Sequence, residues 1–314
     1  MNLFIATLES VIILLGIGVL GFLLIQRKIL PEKALSALSP LALEIALPCL
    51  IFTNIITQFT PADTHDWWLL PLWWLFFTAI VAGLTAGFSF VSYKPIRREF
   101  ALALFYQNGI FFPVAILGEL FGGDSIYLTS LFVFVLVYPA FFFNTYPLIF
   151  GQPIRTFQWK KILHPVLLVT LLAIALRLTG TAQYIPEVVT SITGMLGALA
   201  IPLIMILLGG NLYLDYKKSG TQLFKKEILK FIIIKNILFP LIFLGIIILI
   251  QPPFIVALLL LIESMVPPVT AIPLLAERAG GNRAAVNQLL VGSFLASLAT
   301  IPIMMYVFSQ FYPF

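Results

Sequence analysis

Residues 100–119 read FALALFYQNGIFFPVAILGE and residues 254–277 read FIVALLLLIESMVPPVTAIPLLAE. Each stretch is hydrophobic and long enough to cross a bilayer, yet each carries proline near its centre. In the first, Asn108-Gly109 is followed by Pro113; in the second, Glu263 is followed by Pro267-Pro268. A break within a membrane helix frees backbone N–H and C=O groups that lipid cannot satisfy, so it persists only against protein or a watery cavity. The place of these two breaks in the chain decides its architecture.

Composition sets the solvent. The 314 residues are 61% apolar and only 10% charged, with a mean hydropathy of +1.08, which excludes a soluble domain. Apolar runs repeatedly reach the ~20 residues that span a bilayer. Trp67, Trp68, Trp73 and Trp74 suit an interfacial belt and a lipid-facing wall. The one cysteine, Cys49, allows no internal disulfide. Residues 1–30 lack the pattern of a cleaved signal peptide, so the first span is expected to be retained.

The expected fold is an all-α polytopic membrane protein of ten spans, drawn at 4–26, 36–58, 67–91, 100–118, 125–150, 163–180, 188–212, 229–250, 254–275 and 285–310. Basic residues fall in alternate loops: Arg27, Lys28 and Lys33; Lys94, Arg97 and Arg98; Arg155, Lys160 and Lys161; Lys217, Lys218, Lys225, Lys226 and Lys230, with Lys235 further in; Arg278 and Arg283. That puts 17 of the 18 basic residues on one side and leaves only Arg177 on the other. The opposite loops hold Asp63, Asp66, Glu119, Asp124 and Glu187. By the positive-inside rule the basic side is cytoplasmic, which puts a multi-pass protein in the plasma (inner) membrane with both termini extracytoplasmic.

The halves, 1–150 and 151–314, repeat. Leu47-Pro48 matches Ile201-Pro202 at an offset of 154 residues, and Pro113 matches Pro267 at the same offset. Glu119 to Asp124 echoes Glu277 to Asn282 at an offset of 158. Five spans per half is odd, so the repeat is inverted, and paired breaks in an inverted repeat point to the midplane site of a secondary transporter.

Depth locates the chemistry. Asn108 lies ten residues beyond Arg98 and eleven before Glu119, so it stands ~15 Å from each end. Pro267 lies at a similar depth. Pro113 and Pro267-Pro268 are expected to turn Phe112 and Val266 out of helical geometry. Half-helices starting there would aim their positive dipole ends at a bound carboxylate, with no basic residue at the centre of any span. Glu263 is the coupling-ion candidate: it would take up a proton, ligate a cation, or meet a basic group on the substrate. Gln107, Tyr138 and Asn144 either line the cavity or hydrogen-bond between helices. Glu44 reads as structural, and Lys235 as an interface anchor whose side chain snorkels outward. Gly209-Gly210 reads as helix packing and Gly280-Gly281 as a helix end. His65 and His164 offer no metal-ligand spacing, no phosphate-binding glycine loop is present, and no aspartate lies within any span. Neither a metal, another cofactor nor an enzyme is therefore expected.

Asn108-Gly109-Ile110-Phe111-Phe112-Pro113 resembles the fourth-span motif of the auxin efflux carrier family. Glu263 to Pro268, continuing through Leu275-Ala276-Glu277, is similar to its ninth span, and Ala299-Thr300-Ile301-Pro302 to part of its tenth. Leu47 to Phe52 and Pro202 to Gly210 resemble its second and seventh. The resemblance implies that spans four and nine cross at their breaks. It also implies a scaffold of spans one, two, six and seven, often dimeric, and a moving transport domain of spans three to five and eight to ten. Members include plant auxin exporters and microbial permeases of malate and other organic acids.

The expected activity is secondary transport of a small organic anion by elevator-like alternating access. Asn108, Gln107, Tyr138, Pro113, Pro267 and Pro268 would form the substrate site. The expected partners are a carboxylate substrate, membrane lipids and a second copy through the scaffold, with no nucleic acid. A sodium-coupled symporter of the bile-acid type is the alternative, with Glu263, Ser264, Gln107 and Asn108 as sodium ligands; a passive channel is another.

Overall fold

The computed structural model describes residues 3–60, 66–123, 125–152, 165–218 and 224–312. Asp63, His65, Asp124, Arg155, Lys160, Lys161 and His164 lie outside the described residues. Among those described, the chain is helical, and the sole strand-like pairing is one isolated bridge.

Six helices are long and apolar enough to cross a bilayer: α2 (Glu32–Gln58), α3 (Trp67–Val91), α6 (Ile126–Ile149), α8 (Glu187–Leu214), α9 (Lys225–Ile250) and α12 (Arg283–Ser309). Between them come α1 (Leu3–Gln26), α4 (Arg97–Phe105), α5 (Phe111–Phe121), α7 (Pro165–Leu178), α10 (Phe254–Met265) and α11 (Ile272–Arg278). Among the described residues, helix occurs within each of the ten expected segments, and the fourth and ninth hold two helices each. Away from the charged first turns of α4 and α9, these elements are largely apolar. Leu249 and Ile12 point outward while Ile51 and Leu261 are enclosed, the pattern of helices with lipid outside and protein inside.

Proline shapes the interior of two long helices. Pro48 and Pro240 have no N–H, so the carbonyls four residues earlier lose their helical donor. The preceding turn widens in both places into a π-turn, Leu41–Ala46 in α2 and Ile233–Leu238 in α9. Leu47 N–H donates to the Ala42 carbonyl and Phe239 N–H to that of Ile234, five residues back.

Close approach of α1 and α8 rests on glycine. A Cβ on Gly209 would collide with the Gly18 carbonyl, and one on Gly21 would strike the backbone of Ile206. The packing role expected of Gly209-Gly210 is therefore what the structure has. Gly280, at φ +77, ends α11 as expected. Trp74 corrects the lipid-facing reading of its cluster. It is buried at 1% exposure, edge-on to Phe141 at 5.5 Å and to Tyr138 at 6.0 Å, whereas Trp68 faces outward.

Only the second of the two breaks is where proline alone would put it. Val266 is extended (φ −68, ψ 146), as Pro267 requires. Phe112, however, is helical, and Pro113 lies in the first turn of α5, where a missing N–H costs nothing. The first break spans Tyr106 to Ile110 instead. Phe105 and Met265 close the first half-helices 160 residues apart, and Phe111 and Ile272 open the second 161 apart. At that register Pro113 corresponds to Pro273, also at the start of its helix, rather than to Pro267.

Candidate functional site

The broken segments satisfy each other. Gln107 and Pro268 form an antiparallel bridge: Asn108 N–H donates to the Pro267 carbonyl at 2.8 Å, and Val269 N–H to the Tyr106 carbonyl at 3.0 Å. Backbone groups freed at one break are thus taken up by the other.

A buried polar cluster surrounds this bridge. Asn108 accepts the Phe111 N–H on Oδ1 at 3.1 Å, capping the start of α5, while its Nδ2 has no partner. Gln107 Nε2 donates to Glu263 Oε2 at 3.2 Å, and Glu263 Oε1 is unpartnered. Tyr138 donates its hydroxyl proton to the Gln107 carbonyl at 2.5 Å. Gly109 makes room for the carboxylate, since a Cβ there would stand 2.6 Å from Glu263 Oε2. Glu263 itself is wholly enclosed.

Lys235 belongs to the same interior, which corrects its reading as a snorkelling anchor. Its side chain is fully buried, Nζ donates to the Ser264 carbonyl at 3.4 Å, and the ammonium stands 5.4 Å from the centre of the Phe239 ring. The π-turn carries both Lys235 and Asn236 inside, where Asn236 Oδ1 accepts from Ser293 Oγ at 2.8 Å. A basic residue therefore does lie within a span.

In front of the bridge lies a cavity of about 450 Å³. Ile110, Phe111 and Val269 to Ala271 from the two breaks form one wall. Leu43 and Leu47 of α2 and Ile204, Leu207, Leu208 and Asn211 of α8 form another, and Tyr138 and Phe142 of α6 close the side. Most of this surface is hydrocarbon, punctuated by Ser39, Tyr138, Asn211 and Thr270. Arg283 completes the lining, with Nη1 bound to Glu277 Oε2 at 2.6 Å. It is the first residue of α12, where a cation opposes the helix dipole by about 0.3–1 kcal/mol. Its partners, the Glu277 carboxylate and the cavity, make that position tenable.

Of the residues expected to bind substrate, the structure gathers Gln107, Asn108, Pro267, Pro268 and Tyr138 around the bridge with Glu263. Among these, Tyr138 faces the cavity; Asn108 and Gln107 stand behind its wall. Pro113 is buried in the first turn of α5. Asn144 Nδ2 donates within its own helix to Ala140 at 2.8 Å. Glu44 is exposed on the outer face of α2. Among the described residues, no three His, Cys, Asp or Glu side chains converge as metal ligands would.

The family of membrane transport proteins, which includes the auxin efflux carriers, matches residues 6–153 and again residues 151–305. The chain belongs to that family. It is thus a membrane transporter, and each of the two matches contains one broken segment. A comparison with curated proteins finds no match. For this family member, Lys235 and Arg283 are the residues that sequence reasoning did not assign to a site. The signal for Arg283 was a cation at a helix N-terminus with no acidic residue in the first turn. The signal for Lys235 was Pro240, five residues on, which widens the helix around it.

Proposed function

We propose that the protein is a secondary carrier of a small organic anion with an apolar body, working by elevator-like alternating access. The observation that carries the reading is the 450 Å³ cavity, walled by the paired breaks on one side and by α2 and α8 on the other. A carboxylate entering it would exchange with Glu277 for the Arg283 guanidinium, while hydrocarbon walls take the rest of the molecule. Asn108 and Gln107 act from behind the wall, holding the start of α5 and the Glu263 carboxylate in place. Glu263 is the coupling group, protonated and released as the site changes sides.

Ten spans in a 5+5 inverted repeat fit this reading, since helix occupies ten segments and the family matches twice. The first repeat is 1–150 and the second 151–314. The basic end, where Lys217 pairs with Glu32 at 2.9 Å and Lys230 with Glu227 at 2.7 Å, is the cytoplasmic face of the plasma membrane. The cavity's lining extends toward that end through Ser39, Leu214 and Arg283, which is consistent with an inward-facing state. Spans one, two, six and seven are the scaffold, through which two copies associate, and the remaining spans move.

Accumulation of labelled indole-3-acetate and malate in proteoliposomes under imposed proton gradients tests the proposal. The apolar cavity predicts that indole-3-acetate accumulates more than malate. Arg283→Gln is expected to raise its KM at least tenfold, and Asn108→Ala to abolish uptake in protein that still elutes as folded. Downhill flux without counterflow would instead describe a channel. Uptake indifferent to Arg283→Gln would remove the anion assignment.

A further inference from the structure

We infer that the Lys235 ammonium is a built-in monovalent cation: it occupies, at the carbonyl end of α10, a place whose oxygen donors would otherwise hold a small alkali metal ion. Two prolines create that place. In a continuous helix Pro267 and Pro268 would donate N–H to the carbonyls of Glu263 and Ser264, four residues earlier, and neither proline has one to give. The last turn of α10 therefore ends with uncapped carbonyls, the negative end of the helix dipole, in a wholly buried place. The Glu263 carboxylate, carried on that same last turn of α10, has Oε1 unpartnered.

Hard oxygen donors of this kind, carbonyls with one carboxylate, are what small alkali and alkaline-earth ions select. Left without a counter-charge they would be a net negative centre in low dielectric, which is costly. Lys235 fills the position from the neighbouring helix α9. Its Nζ donates to the Ser264 carbonyl at 3.4 Å, and it lies within electrostatic reach of Glu263. The π-turn Ile233–Leu238 gives the side chain its inward aim. Because this cation is covalently tethered, it travels with the protein and is never exchanged. The inference deepens the reading of Glu263 as the coupling group: with the cation place already filled, sodium has no seat beside it.

Thermal unfolding of the detergent-purified protein in sodium, lithium, potassium or choline chloride at equal ionic strength tests this without any substrate. Failure here would therefore leave the substrate assignment untouched, and the reverse also holds. The wild type is expected to melt at the same temperature in all four salts. Lys235→Ala is expected to melt lower in choline and to recover several degrees in sodium or lithium, and that recovery should vanish when Glu263→Gln is added. A Lys235→Ala protein that responds to no cation overturns the inference. So does a wild type whose sodium stabilisation is removed by Glu263→Gln. Should Lys235→Ala not fold, the charge pair is tested by Lys235→Met, Glu263→Gln and their combination. The double variant, with no net charge buried, is expected to melt above both single variants, and one that melts no higher overturns the inference.

Discussion

Gly109 and Glu263 belong to different halves of the chain yet share one space. Replacing Gly109 by alanine would put a methyl carbon 2.6 Å from Glu263 Oε2, so the carboxylate must shift and its bond with Gln107 must lengthen. Overpacking of this kind costs about 1–3 kcal/mol. The expected outcome is a lowered melting temperature and uptake reduced at least tenfold. Gly109→Ala combined with Glu263→Gln should relieve little, because the amide is no smaller. Glu263 was legible as a special residue from its sequence alone, since an acid in a run such as FIVALLLLIES has no other excuse. Lys235 was not. Counting ~1.5 Å per residue from Lys230 makes it shallow enough to reach the interface. The turn around it is wider than that count assumes, and the side chain consequently points into the protein.

The widened turns are a property of elements and depend on single prolines. Pro240→Ala would return an N–H to the Asn236 carbonyl and allow α9 to close as an ordinary α-helix. The expected result is a rotated Lys235 and Asn236, a broken Asn236–Ser293 bond, and loss of uptake with most helical content retained by circular dichroism. The α1–α8 contact is as intolerant for a different reason. Gly209→Val would drive a branched side chain into the Gly18 carbonyl, and the expected outcome is loss of the monodisperse peak in size-exclusion chromatography. Gly209-Gly210 was readable as packing because two adjacent glycines inside an apolar run have little other use. The register of the two breaks was harder. Pro113 and Pro267 share an offset with Pro48 and Pro202, but proline is tolerated in a first helical turn and enforces extension just before a break, so like residues hold unlike places. Helix ends, 160 and 161 residues apart, give the register that proline matching missed.

Across the whole molecule, alternation of charge between short loops was enough to draw segments that the helices then fill. The membrane placement proposed from it can be measured. With Cys49 replaced by serine, a cysteine at Lys217 is expected to react with an impermeant maleimide from the cytoplasmic side of the membrane, and one at Thr181 from the opposite side. Labelling of both from one side would refute the topology. What no local reading supplied is the partner of each break, because the bridge joins Gln107 to Pro268 across half the chain. That bridge also constrains biogenesis. A ribosome that has delivered only the first five segments leaves the amide of Asn108 and the carbonyl of Tyr106 open in the membrane, and their mates lie in peptide not yet made. Residues 1–152 expressed alone should therefore be a substrate for membrane quality control, cleared within minutes. Co-expression with residues 153–314 should restore a long half-life. The newborn first half stays incomplete until its complement arrives.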